Sequence, residues 1–176
     1  MKKLISTNAM MTNYTMFTKI TGIALLHFSI LFNAFSQEVK PIDLKQFETL
    51  LNRQKDTIYV YNFFATWCKP CVKEIPHFVK FANDSASTKV KVVFINLDQL
   101  ENLEDIVNPF VSKKKITQNI YLLNNPNYTL WMPRVDRRWG GSIPATLVIN
   151  GRNNKRGFIE GEIAYKELSS LVNSTK

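Results

Sequence analysis

Cysteine and histidine are both scarce in this 176-residue chain, with two of each. Beyond residue 36 the potential metal ligands of these types reduce to Cys68, Cys71 and His77. A structural zinc site needs four ligands, so zinc is disfavoured. A copper site on those three side chains stays open as a reading, but no metal is expected. Acid is missing from the first 36 residues. No apolar stretch there reaches the roughly 20 residues of a membrane span. Internal repeats and low-complexity tracts are also missing. Apolar content of 45% and charged content of 21% exclude disorder as the main state and suit one domain of ordinary size.

The N-terminal 36 residues read as a targeting segment. Lys2, Lys3 and Lys19 precede a mostly apolar stretch over residues 20–35, interrupted by His27, Ser29 and Asn33. Ala34 and Ser36 offer small residues at the −3 and −1 positions of a cut before Gln37. The pattern predicts a secretory signal peptide over 1–36 and a single domain over 37–176, with an uncleaved membrane anchor as the alternative. No cysteine lies near the cut to carry a lipid. The formal charge is +9, and the three N-terminal lysines leave +6 for the rest. That surplus favours acidic partners or an anionic surface without defining a site. An exported chain gives no reason to expect nucleic acid as partner.

What the chain does have is Trp67-Cys68-Lys69-Pro70-Cys71. Export allows a plain structural disulfide. A bridge across two residues, however, closes a loop too small to restrict the unfolded chain much. As a redox pair the two thiols are better placed, because an apolar strand over 57–65 delivers them to a helix running to about residue 83.

The remaining pattern alternates. Asp43 caps a helix to about residue 54, preceded by a short linker over 37–41. A second apolar strand covers 90–97, with Asp98 at its end. A helix is predicted over 100–114 with Leu103, Ile106, Val107, Phe110 and Val111 inward, then a strand over 119–123. Residues 128–139 are partly helical. A strand over 145–150 turns at Asn150-Gly151 and pairs back over 156–160, and a helix over 162–173 closes the chain. This order implies an α/β fold, a mixed central sheet with helices on both faces.

This order together with Trp-Cys-x-Pro-Cys resembles the thioredoxin fold, and more narrowly the exported TlpA/ResA-like thiol-disulfide oxidoreductases, over residues 43–173. Pro76 stands where that family's active-site helix carries a proline. Ile143-Pro144 is similar to its cis-proline loop, within Trp139-Gly-Gly-Ser-Ile-Pro-Ala-Thr146. The segment over 100–123 resembles the family's extra α-β insertion. Plain thioredoxin has an Asp six residues before the first cysteine, where this chain has Asn62. The TlpA/ResA-like branch has a Glu three residues after the second, and Glu74 is there. The N-terminus departs from the family, being short and helical without the hairpin of many relatives.

The resemblance implies no cofactor beyond a redox-active Cys68–Cys71 disulfide. It implies disulfide-containing exported proteins as partners, apocytochrome c among the candidates, and a membrane thiol-electron donor. A monomer in the periplasm or another extracytoplasmic space is expected. Cys68 at a helix N-terminus is the nucleophile, since unpaired N–H groups, the dipole and Lys69 favour a thiolate. Pro70 fits the first helical turn. Cys71 resolves the mixed disulfide, with Glu74 at i+3 to take its proton. Trp67 forms an apolar rim, and the Ile143 backbone beside Pro144 offers strand-like hydrogen bonds to an extended substrate. The bland readings are a solvated Glu74, a trans turn at Pro144, and a surface His77. Trp131 and Trp139 read as core or rim packing. Peroxidase chemistry ranks low, because the Pro-x-x-x-Thr-x-x-Cys spacing is missing.

Overall fold

A computed structural model describes residues 38–176. The signal-peptide expectation lies outside the described residues. Six strands form one sheet in the order β1-β4-β3-β2-β5-β6. They are β1 (Lys40–Ile42), β2 (Ile58–Phe64), β3 (Val90–Asn96), β4 (Asn119–Leu123), β5 (Ala145–Asn150) and β6 (Arg156–Glu160). β1, β4, β3 and β2 run parallel, while β5 is antiparallel to β2 and β6 antiparallel to β5. The helices are α1 (Leu44–Leu51), α2 (Lys69–Asp84), α3 (Asn108–Lys113), α4 (Tyr128–Val135) and α5 (Tyr165–Ser174). Among the described residues no helix is long and apolar enough to cross a membrane.

β2 is buried along its whole length because helices cover both faces of the sheet. Successive side chains alternate. Val60 and Phe64 face the layer of α2 and α5, where Ile75, Phe78, Leu168 and Val172 pack. Tyr59, Tyr61 and Phe63 face the layer of α1 and α4, with Phe47, Leu50, Trp131 and Trp139. Trp131 and Trp139 are core residues, 1% and 6% exposed, and their rings meet with centroids 5.4 Å apart. Asn62 is the polar member of β2 and is fully buried.

Two segments differ from the sequence reading. Lys40–Ile42 is a strand, not part of a linker. Lys40 pairs with Tyr121, Pro41 with Leu122 and Ile42 with Leu123, and buried Val39 anchors its start. An edge strand tolerates Pro41, whose missing N–H costs no ladder bond on the free side. The expected helix over 100–114 is three pieces, a 3₁₀ turn (Leu100–Asn102), a π turn (Leu103–Val107) and α3. Pro109 has no N–H to give to the carbonyl of Asp105, so a regular ladder cannot run through it. The irregular winding leaves Val107 and Val111 buried but turns Ile106 outward, 46% exposed.

Candidate functional site

The site is built at the exit of β2. The Cys68 N–H donates to the Ala65 carbonyl at 3.2 Å, and the chain turns directly into α2. Cys68 is the N-cap of that helix, and its Sγ accepts from the Cys71 N–H at 3.3 Å. Lys69 and Pro70 occupy the first turn, both exposed. Pro70 suits that turn because its fixed φ fits it. Cys68 and Cys71 are joined in a disulfide. Cys68 is almost buried and Cys71 fully so, whereas Trp67 is 68% exposed beside them.

Glu74 lies one turn beyond Cys71 on the same helix and is fully buried. Its Oε1 accepts from Asn62 Nδ2 at 2.6 Å, and its Oε2 from the Ile163 N–H at 2.9 Å. Burial pushes the Glu74 carboxyl up to about 7, against the opposing pull of the Ile163 N–H and the Asn62 amide. The solvated reading of Glu74 is therefore wrong. Asn62 Oδ1 and Thr146 Oγ1, on paired residues of β2 and β5, are buried without hydrogen-bond partners.

The Ile143–Pro144 peptide is cis. Its Ile143 carbonyl oxygen lies 3.6 Å from Cys68 Sγ, so the loop before β5 closes over the exit of β2. Glu160 holds that loop, accepting from the N–H groups of Gly140 at 2.9 Å and Ser142 at 2.7 Å. Trp139 Nε1 donates to the Ser142 carbonyl at 2.8 Å. These backbone bonds hold the Glu160 carboxyl below its ordinary range.

Two residues of the site carry no role in the sequence reading: Thr66, which it does not name, and Asp98, which it names only as the end of the second strand. Asp98, just past β3, is a nearly buried carboxylate. It accepts from the Thr66 N–H at 2.8 Å, the Thr66 hydroxyl at 2.7 Å and Asn96 Nδ2 at 2.6 Å. It thereby pins the loop two residues before Cys68. The available signal was an acid placed directly after a mostly apolar strand. His77 is partly exposed on α2, and no group of three or more potential metal ligands clusters among the described residues.

A mixed sheet with a dithiol/disulfide pair at a helix N-cap and a cis-proline loop against it defines a TlpA/ResA-like chain of the thioredoxin fold. Residues 30–154 match the AhpC/TSA family, and the chain belongs to that family. It is 36% identical over 63 residues to sporulation thiol-disulfide oxidoreductase A of Bacillus subtilis, a match covering 36% of this chain and 38% of that one. It is 39% identical over 114 residues to the thioredoxin-like protein YneN of the same organism, covering 63% and 61%. These matches span less than two thirds of either relative.

Among solved structures, a thioredoxin-related protein from Neisseria meningitidis serogroup B superposes with a TM-score of 0.59 at 27% identity. That superposition covers 69% of this chain and 86% of the other. Within this chain, Tyr61 and Ala65 stand where the peroxidatic spacing would put Pro and Thr.

Proposed function

We propose that this chain is an exported thiol-disulfide oxidoreductase that reduces disulfides of partner proteins. The observation that carries the reading is the Cys68–Cys71 disulfide at the start of α2 with a buried Glu74, its carboxyl pushed up to about 7, one turn further on. In the reduced form, the Cys68 thiolate attacks one sulfur of a substrate disulfide. That S–S bond breaks, a Cys68–substrate bond forms, and the departing sulfur takes a proton from water. Cys71 then gives its proton to Glu74 and attacks Cys68 Sγ. The Cys68–Cys71 bond re-forms, and the second substrate sulfur leaves and is protonated. Two electrons have moved to the substrate, and a dithiol donor at the membrane returns two to this chain.

The reducing direction is supported by the surroundings of Cys68. The group is nearly buried, and the carboxylate of Asp98 anchors its loop with no cation in salt-bridge contact among the described residues. Both features oppose the pull of the helix N-terminus and the Cys71 N–H towards a thiolate, and destabilising the reduced form favours a low potential. Equilibration with glutathione tests this. A potential near the roughly −120 mV of a strong oxidant would leave an oxidase of exported proteins as the better description. Trapping with Cys71→Ala in cells tests the chemistry itself. Substrates should accumulate as mixed disulfides on Cys68, and an empty trap with intact Cys68 would count against the reading.

A further inference from the structure

A groove of ≈ 530 Å³ opens beside the redox pair, lined by Thr66, Trp67, Asp98, Asp105, Ile106 and Phe110 among others. Asp98 is shared with a second crevice of ≈ 330 Å³, which passes Glu101, Leu100 and Tyr128 over the carboxyl ends of β3 and β4. Most of the large apolar side chains exposed among the described residues gather here. Trp67, Leu100, Ile106 and Tyr128 all line one of the two hollows, and Leu130 on α4 is the one that does not. Trp67, on the groove's lining, is the neighbour of Cys68 in the chain.

Charge on this lining is unlike that of the rest of the chain. Beyond Glu38, at the start of the described residues, the acids elsewhere on the surface are engaged. Asp56, Asp84, Asp136, Glu48 and Glu162 have Lys or Arg partners, and Asp43, Glu160 and Glu167 hold backbone N–H groups. Glu101 and Asp105 have neither kind of partner among the described residues, and Glu104 beside them has only the Asn108 amide. Asp98 adds a carboxylate on the groove floor. Among the described residues, Lys113 is the one cation on the two linings. A chain with surplus positive charge thus leaves Glu101 and Asp105 without cation partners beside this apolar surface, although Lys113 shares the lining and Lys114 Nζ lies 5.8 Å from the Phe110 ring centroid.

We infer that this groove docks the polypeptide on one side of a substrate's disulfide and selects segments that set an apolar side chain beside lysine or arginine. The inference rests on the oxidoreductase reading above. The apolar side chain packs between Trp67 and Ile106, and the cation faces Asp105 and Glu101. Complementary rim charge acts chiefly on the rate of productive encounter, and salt screens it. The general field of this chain works the other way, since a net positive body attracts acidic peptides. A preference for basic flanks would therefore be the signature of the groove itself.

The test uses the full chain, reduced with dithiothreitol and desalted. Its oxidation rate is measured with two synthetic peptides, each holding one internal disulfide flanked by leucine and by three lysines or three glutamates. Each rate is divided by that with 2-hydroxyethyl disulfide, which has no flank. The lysine peptide should react about five- to tenfold faster at low salt, converging with the glutamate peptide near 1 M salt. The Glu101→Lys/Asp105→Lys double variant should lose that preference. Asp105→Asn, a milder change, should lose part of it. Equal rates for the two peptides, or an undiminished preference in the double variant, overturn the groove. No oxidation by 2-hydroxyethyl disulfide overturns the oxidoreductase reading, and the groove with it.

Discussion

Replacing Glu74 by Gln should change how stability depends on pH more than it changes the fold. The Glu74 carboxyl is pushed by burial to about 7, whereas an ordinary glutamate titrates near 4.5. The folded chain therefore holds this proton more tightly than the unfolded chain. Stability from this group is complete below pH 4.5, falls as pH rises to 7, and stays level above. A displacement of about 2.5 units corresponds to about 3 kcal/mol, or nearer 2 if polar neighbours soften the burial. Asp56, Asp84, Asp136 and Glu160 are all held below their ordinary values, so their contributions fade only in more acid solution.

The Glu74→Gln side chain can be accommodated because Asn62 has a spare acceptor. With its amide turned over, Asn62 Oδ1 accepts from the new amide N–H, while the remaining oxygen of the substituted side chain keeps the Ile163 N–H. The same turn would let a protonated Glu74 donate to Asn62. The assay is urea unfolding of the oxidised protein and the variant at intervals from pH 4.5 to 8.5. The difference between them should open by about 2–3 kcal/mol in favour of the variant across pH 5–7. Parallel profiles would refute a raised Glu74.

Glu74→Gln should also slow closure of the Cys68–Cys71 bond from a mixed disulfide by at least about tenfold at pH 7, measured by rapid quench, since positioned proton acceptors commonly contribute 10²–10⁴. Asp98→Ala leaves the Thr66 and Asn96 donors without their acceptor and should cost about 2–4 kcal/mol in denaturant unfolding. Asp98→Asn should raise the reduction potential, because it removes the carboxylate charge from beside the cysteine loop; an unchanged or lower potential would contradict that role. Trp131→Ala should cost about 3–5 kcal/mol, measured the same way. Gly151→Ala would drive a Cβ into the Lys55 carbonyl oxygen, and the resulting backbone shift should cost about 1–3 kcal/mol and lower the melting temperature.

β2 and β3 were legible as strands because both sheet faces are covered, which leaves mostly apolar runs in the sequence, broken by Asn62 in β2 and by Lys91 and Asn96 in β3. β1 was not, because three residues containing Lys40 and Pro41 carry no periodicity. Its pairing depends on β4, about eighty residues away in the chain. The insertion was read as one helix from its apolar spacing, and Pro109 broke that spacing into turns. Within the site, the local parts were legible: Cys68, Cys71 and Glu74 share one helix, and Ile143-Pro144 is a dipeptide. The long-range partners were not. Ile163 reaches Glu74 across 89 positions and Asp98 reaches Thr66 across 32, and neither bond leaves a local pattern.

The antiparallel course of β5 puts its entrance, not its exit, level with the exits of β2, β3 and β4. Everything the sulfurs depend on therefore hangs from one rim of the sheet. The far rim holds the turn after Asn150, where Asn153 and Asn154 are exposed and Asn154 is in the left-handed region at φ 57°. A fluorophore, an immobilisation handle or several inserted residues at that turn can report on the molecule or fix it to a surface. Substrates would still meet an unobstructed working edge.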